Sequence, residues 1–137
     1  MQLEPMRYHR WGVLPVTKSL AIIASYQIRV LFWVAIGVLF YLALMPADDV
    51  EPMMLVSDKL AHFIAFLGLG ILGTWSYPQT KISVVLGLIL YGAVIEGAQS
   101  LTSSRSAEWA DLIADTTGVF CSLLFFRVRH YFIKASR

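Results

Sequence analysis

Four long apolar segments alternate with short polar stretches along the chain. When the sequence is divided at its charged residues and prolines, these segments cover residues 30–45, 60–77, 82–98 and 109–126. Each is about 16 to 18 residues long, near the lower limit for a helix that crosses a bilayer, and each can extend by a flanking turn. The pattern predicts an all-α, polytopic membrane protein with four transmembrane helices in a compact bundle.

The apolar segments also divide the chain into three parts. Residues 1–29 form an N-terminal segment whose end, VTKSLAIIASYQIRV, mixes apolar and charged residues. This stretch favours either an interfacial helix on the inner membrane surface or a plain extension of the first transmembrane helix. The first apolar segment is not a removable signal peptide, because it starts near residue 30 and is followed by Pro46 and acidic residues. Residues 30–126 form the membrane domain, and residues 127–137 form a basic tail.

Composition strengthens the membrane interpretation and excludes other classes. The chain has 137 residues, of which 58% are hydrophobic and 15% charged, against about 45–50% and about 25% in soluble domains. A formal charge of +2 is too small to indicate a nucleic-acid-binding protein, and the basic residues gather at the two ends. Cys121 is the single cysteine, so neither an internal disulfide nor a cysteine cluster for zinc is possible.

The distribution of lysine and arginine predicts the orientation. The N-terminal segment, the loop between the second and third helices, and the C-terminal tail hold nine of the eleven basic residues. The other two loops hold only Lys59 and Arg105, and the first of these loops is rich in aspartate and glutamate. The positive-inside rule therefore places both termini in the cytoplasm and the two acidic loops outside the bacterial inner membrane.

In this orientation, the polar residues of three helices lie in the outer leaflet. Residues three or four apart share a face of a helix, so they form three stripes that are polar near the outer surface and small deeper in the membrane. Small residues allow helices to pack closely in lipid, which predicts that the stripes face one another inside the bundle. The stripes are Lys59, His62, Phe66, Gly70 and Gly73; Gly92, Glu96 and Gln99; and Asp111, Asp115, Gly118 and Ser122.

Three motifs within residues 57–125 resemble the VanZ-like family, small membrane proteins named for a protein linked to teicoplanin resistance. They are DKLAHFIAF, YGAVIEGAQ and RSAEWADLIADTTG, in this order and spacing. The first predicted helix matches the family only in position and character. The resemblance implies a helical protein of the cell envelope and an association with glycopeptide resistance, but it implies no agreed reaction. The family usually has asparagine where this chain has Asp115.

Charged residues inside a membrane are candidates for function, so the polar cluster is interpreted as a binding pocket. A phosphate or carboxylate is the expected ligand, because the cluster includes lysine, histidine and arginine. The expected partner is a membrane lipid or a lipid-linked envelope precursor, with no nucleic acid. The alternative without a ligand is a network of polar contacts that only stabilises the bundle. The candidate binding residues are Lys59, His62, Glu96, Gln99, Arg105, Asp111 and Asp115.

A membrane-embedded hydrolase or transferase is a further alternative. Glu96 or Asp111 would then act as the general base and His62 as the acid. The sequence contains no nucleophile elbow, no HExxH motif and no P-loop, so no catalytic residue is assigned. A metal site built from His62, Glu96 and Asp111 is chemically possible, but one histidine with carboxylates at unknown distances is a weak signal. The sequence therefore predicts no metal and no cofactor.

Overall fold

The computed structural model describes residues 16–46, 57–102 and 108–135. These residues form four α-helices, and each helix contains a stretch that is long and apolar enough to cross a membrane. The predicted fold class, an all-α membrane protein with four packed transmembrane helices, is confirmed. The helices are α1 (Val16–Ala43), α2 (Asp58–Ser76), α3 (Lys81–Gln99) and α4 (Trp109–Ala135).

Two helices extend well beyond their apolar segments. Helix α1 begins at Val16, so the stretch before residue 30 extends the first helix and does not form a separate interfacial helix. Helix α4 continues to Ala135, well beyond the end of its apolar segment at residue 126. The charged residues in these extensions end the apolar pattern without ending the helix, because lysine and arginine are good helix formers. The bounds of α2 and α3 differ by one or two residues from the apolar segments.

Helices α2 and α4 form the most extensive contact between any two of these helices. Gly118 of α4 lies directly against the backbone of α2, since a Cβ atom there would be 2.5 Å from the carbonyl oxygen of Phe63 and 2.9 Å from the nitrogen of Leu67. Gly70 of α2 similarly faces the side chain of Ser122. These glycines allow the close approach that stabilises helix pairs in lipid.

Helix α1 is attached to the bundle partly through its backbone. Three side chains of α2 and α3 donate hydrogen bonds to carbonyl oxygens of α1 at different depths. The bonds are Tyr91 Oη to Ile36 O at 2.6 Å, Gln99 Nε2 to Ala43 O at 3.0 Å, and the longer arm of a shared bond from Ser76 Oγ to Ile28 O at 3.3 Å, whose shorter arm ends on Leu72 O of its own helix at 2.7 Å. A helix carbonyl oxygen has a second lone pair available for such a bond, so α1 is held without losing its own helical hydrogen bonds.

Candidate functional site at the polar end of the bundle

The start of α2, the end of α3 and the start of α4 meet at one end of the bundle, here called the polar end. Neighbouring helices in this part of the chain are antiparallel, because α2 and α3 are joined by a short turn and α3 and α4 by a short loop. Six of the seven predicted site residues are described, and all six lie on these helix ends. Arg105 lies in residues 103–107, outside the described residues.

Lys59 lies at the exposed edge of the polar end. Its Nζ atom donates a hydrogen bond to Glu108 Oε2 at 2.6 Å, and it lies 3.6 Å from Asp111 Oδ1. The side chains of Lys59 and Glu108 are 51% and 50% exposed, whereas Asp111 is buried. An ion pair this exposed contributes little to stability, because solvent and salt screen it. Lys59 is therefore held loosely by Glu108, and the bond is open to competition from an incoming ligand.

Glu108 is a site residue that the sequence-based list omits. It immediately precedes α4 and lies three residues before Asp111, and its carbonyl oxygen accepts a hydrogen bond from the Asp111 amide at 3.0 Å. Residues with this spacing point to the same side of the chain at a helix start. That spacing from Asp111 is the signal that identifies Glu108 in the sequence.

His62 and Asp115 form the most buried polar pair of the cluster. The distance from His62 Nδ1 to Asp115 Oδ1 is 3.0 Å, and the Asp115 side chain is 0% exposed. Gly92 of α3 faces this pair, because a Cβ atom there would lie 2.9 Å from Asp115 Oδ2. The lack of a side chain at Gly92 therefore makes room for Asp115 between α2 and α3.

Glu96 and Gln99 lie at the end of α3 but have different roles. Glu96 Oε2 accepts a hydrogen bond from the backbone amide of Glu108 at 3.0 Å, which places a carboxylate at the positive end of the α4 dipole. Gln99 instead donates to the carbonyl oxygen of Ala43 at 3.0 Å. Glu96 thus belongs with the charged residues, while Gln99 attaches α3 to the end of α1.

The three predicted stripes do face the interior of the bundle. Apart from Lys59 and His62, which lie near the polar end, every residue of the stripes is buried. Three carboxylate oxygens in these stripes are buried without a hydrogen-bond partner in the described part of the chain. They are Glu96 Oε1, Asp111 Oδ1 and Asp115 Oδ2.

A groove opens beside the cluster, between α3 and the start of α4. Its volume is about 310 Å³. One end of its wall is polar, with Glu96, Ser100 and Glu108, and the remainder includes Trp109 and Leu112. A polar head next to an apolar wall suits an amphipathic ligand, because each part of the ligand meets a surface of its own kind. The polar end therefore combines a partly closed ionic network with an accessible groove.

The family of the chain follows from comparison of its sequence with protein-family models. A family model described as VanZ/LLP1 matches residues 15–130, which include all four helices except the last residues of α4. The chain belongs to the VanZ/LLP1 family. The resemblance predicted from the three motifs is confirmed, and the match to the VanZ/LLP1 model also covers α1. Comparisons with curated proteins and with solved structures give no significant match.

The polar end of this VanZ/LLP1 protein also contains a group of possible metal ligands. One ligand atom from each of Asp58, His62 and Asp111 lies within 4.8 Å of the others. This set differs from the trio considered in the sequence, since Asp58 replaces Glu96. Glu96 lies instead beside the backbone of Glu108. The polar end thus has the ammonium group of Lys59 at its edge, the buried His62–Asp115 pair, and a compact set of atoms that could bind a metal ion.

Proposed function

We propose that this VanZ/LLP1 protein recognises an anionic component of the cell envelope at its polar end. The observation that carries the proposal is the position of Lys59, an exposed ammonium group that is held by the equally exposed carboxylate of Glu108. A phosphate or carboxylate group of a ligand can replace Glu108, because an exposed ion pair is weak. Arg105 lies outside the described residues and is the second cation that the sequence predicts for the same anion.

The groove between α3 and α4 supports a lipid-linked ligand over a free anion. Its wall runs from Glu108 at the polar end to Leu112, one helical turn deeper along α4. The exposed apolar side chains of the same helices, such as Leu90 and Ile113, are suited to contact with acyl or prenyl chains. Lys59 does not line the groove but is bonded to Glu108, which does. An anionic head that replaces Glu108 at Lys59 would leave its apolar chain next to the groove.

The charge distribution supports placing this site in the outer leaflet of the bacterial inner membrane. Nine of the eleven lysine and arginine residues lie in the segments that the positive-inside rule assigns to the cytoplasm, together with both termini. Envelope precursors and glycopeptide antibiotics meet at the outer surface. An influence on glycopeptide tolerance, including tolerance of teicoplanin, is therefore part of the proposal.

The proposal can be tested by titrating the full-length protein in detergent with a short polyprenyl phosphate, in buffer that contains a divalent cation. The uncharged polyprenol with the same chain is the matched ligand. We expect the phosphate to bind about three- to fivefold more tightly, because an ion pair with an exposed lysine is weak but favourable. Equal binding of the phosphate and the alcohol would contradict recognition of the anion.

A pair of lysine variants locates the binding site in the same titration. Lys59→Gln should lose most of the preference for the phosphate. Lys81→Gln should keep it, because Lys81 is also an exposed lysine in the first turn of a helix but lies at the opposite end of the bundle. An equal loss in both variants would show that the positive charge of the protein in general, and not Lys59 at the polar end, attracts the phosphate.

The His62–Asp115 pair favours acid–base catalysis on the bound component as a second candidate function. A carboxylate that orients a histidine is a common arrangement for proton transfer. Incubation with a polyprenyl diphosphate and measurement of released phosphate tests this candidate. Release that is lost in His62→Gln would support an enzyme, whereas unchanged substrate with intact binding would support a binding protein alone.

A further inference from the structure

Among the described residues, the polar end carries more negative than positive side chains. Its described residues include five carboxylates and two basic side chains, Lys59 and His62. Buried carboxylates are costly in a membrane unless a cation or a set of hydrogen bonds stabilises them. The carboxylates are Asp58, Glu96, Glu108, Asp111 and Asp115.

Asp111 shows most clearly that this negative charge is incompletely compensated. It is 4% exposed, and its Oδ1 atom has no hydrogen-bond partner among the described residues. Lys59 Nζ lies 3.6 Å from this atom, beyond hydrogen-bond distance, and donates to Glu108 instead. Buried polar atoms in native proteins are mostly hydrogen-bonded, and a bound ion is one way to satisfy this oxygen.

The atoms around Asp111 fit a metal ion. Ligand atoms of Asp58, His62 and Asp111 lie within 4.8 Å of one another. Oxygen and nitrogen ligands bind zinc at about 2.0–2.2 Å, which places two ligands of one ion about 3 to 4 Å apart. Small movements of these side chains bring all three into that range. Asp58 is exposed at the start of α2, so an ion can enter from the membrane surface.

His62 has the carboxylate partner that metal-ligating histidines usually have. Its Nδ1 atom lies 3.0 Å from Asp115 Oδ1, and a carboxylate bonded to one ring nitrogen leaves the other nitrogen free to coordinate an ion. Ligand histidines in proteins usually have such a carboxylate or carbonyl partner. Imidazole together with carboxylates is suited to zinc or manganese.

We propose that Asp58, His62 and Asp111 bind a divalent metal ion of the zinc or manganese class, with Asp115 as the positioning residue for His62. Three protein ligands leave coordination positions open for another group. If the proposed function is correct, the anionic head of the envelope component occupies one of these positions, and Lys59 binds the same anion from the side of Glu108. The ion then allows a carboxylate-rich site to bind an anion.

The test uses the full-length protein in detergent after treatment with EDTA. Calorimetric titration with zinc chloride or manganese chloride, without any lipid ligand, should show one ion bound per chain. Asp111→Asn and His62→Gln should each weaken binding more than about tenfold. His130→Gln removes a histidine near the other end of α4 and should change the affinity less than about twofold. No saturable binding by the wild type, or equal effects of the two histidine variants, would overturn the proposal.

A measurement on the wild type protects this test from variants that fail to fold. Pulsed EPR of the manganese-loaded protein should show coupling to a directly bound imidazole nitrogen. Absence of nitrogen coupling would exclude His62 as a ligand and overturn the proposed site.

The polyprenyl phosphate titration, repeated with EDTA, separates the two proposals. Loss of phosphate binding with EDTA would support a bridging ion. Phosphate binding that persists in a protein without metal affinity would overturn the metal site and leave the proposed function in place. Metal binding without any affinity for the phosphate would support the metal site and contradict the proposed function.

Discussion

At the scale of single residues, the polar end shows which features the sequence can predict. The spacing of Lys59, His62 and Asp115 along their helices correctly places their side chains inside or at the edge of the bundle. The pairing of His62 with Asp115, and of Lys59 with Glu108, depends on helix rotation and side-chain rotamers, which spacing does not determine. The partner of Gln99 is a main-chain carbonyl oxygen of α1, and every residue has such a group, so the sequence contains no signal for this contact.

The buried His62–Asp115 pair leads to a prediction about stability. Asp115→Asn restores the residue that the family usually has and keeps an oxygen that accepts a hydrogen bond from His62 Nδ1. Its free energy of unfolding should change by less than about 1 kcal/mol. Asp115→Leu leaves the ring nitrogen without a partner in a buried site and should cost about 1–3 kcal/mol. Unfolding in mixed micelles, followed by circular dichroism, measures both values.

The two variants at position 115 also distinguish polar pairing from packing. Leucine is bulkier than asparagine, so both variants are also made in a His62→Ala background, where a loss in Asp115→Leu that comes from the missing hydrogen bond should disappear. Equal losses in both variants would contradict this account and show that the negative charge itself is required.

At the scale of helices, close packing of α2 on α4 positions the site. The small residues of the predicted stripes mark this contact, and the sequence therefore predicts which faces meet. The start of α1 and the end of α4 do not follow from the sequence in this way. The apolar pattern indicates where a segment leaves the lipid and not where its helix begins or ends. This is why the extensions before residue 30 and after residue 126 are helical although charged residues interrupt their apolar pattern.

The contact between α2 and α4 can be tested at one glycine. Gly118→Ala introduces a Cβ atom 2.5 Å from the Phe63 carbonyl oxygen, and a backbone atom cannot move aside as a flexible side chain can. We expect a loss of about 1–3 kcal/mol in the free energy of unfolding, as for other overpacked interiors. Thermal unfolding in detergent micelles provides the measurement.

Gly97→Ala is the matched control for Gly118→Ala. Nothing lies within 4 Å of a Cβ atom at Gly97, so this variant should retain or gain stability, since alanine favours a helix by up to about 1 kcal/mol over glycine. Similar losses at the two positions would refute the packing explanation and indicate a general sensitivity to glycine replacement.

At the scale of the whole molecule, the two ends of the bundle have opposite charge. The polar end is rich in carboxylates, whereas the opposite end has a cavity of about 580 Å³ lined by Lys81, Arg127 and Arg129 among apolar residues. The number of membrane-spanning helices follows from the sequence through the length of its apolar segments. The shape of either cavity does not, because it depends on how far the helices separate at each end.

The charge asymmetry predicts how the protein is inserted. In a Cys121→Ser background, a cysteine introduced at Ser103, in the loop between α3 and α4, should react with an impermeant maleimide in intact cells. A cysteine introduced at Gln79, in the turn between α2 and α3, should react only after the cells are opened. The opposite labelling pattern would place the polar end in the cytoplasm and contradict the proposed outer-leaflet site.

The hydrogen bonds that end on the carbonyl oxygens of α1 have a consequence for how its sequence can vary. The oxygens of Ile28, Ile36 and Ala43 are present whatever side chains those positions carry. The contacts therefore depend on the path of the backbone and not on side-chain identity. Ile28 and Ile36 are only partly buried and should tolerate other apolar residues, whereas Ala43 is buried in the core and has no room for a larger side chain. The exposed positions of this helix can be replaced by apolar residues without a change of its register, whereas a side chain at Gly118 would displace the backbone of α2 and one at Gly92 would displace the Asp115 side chain.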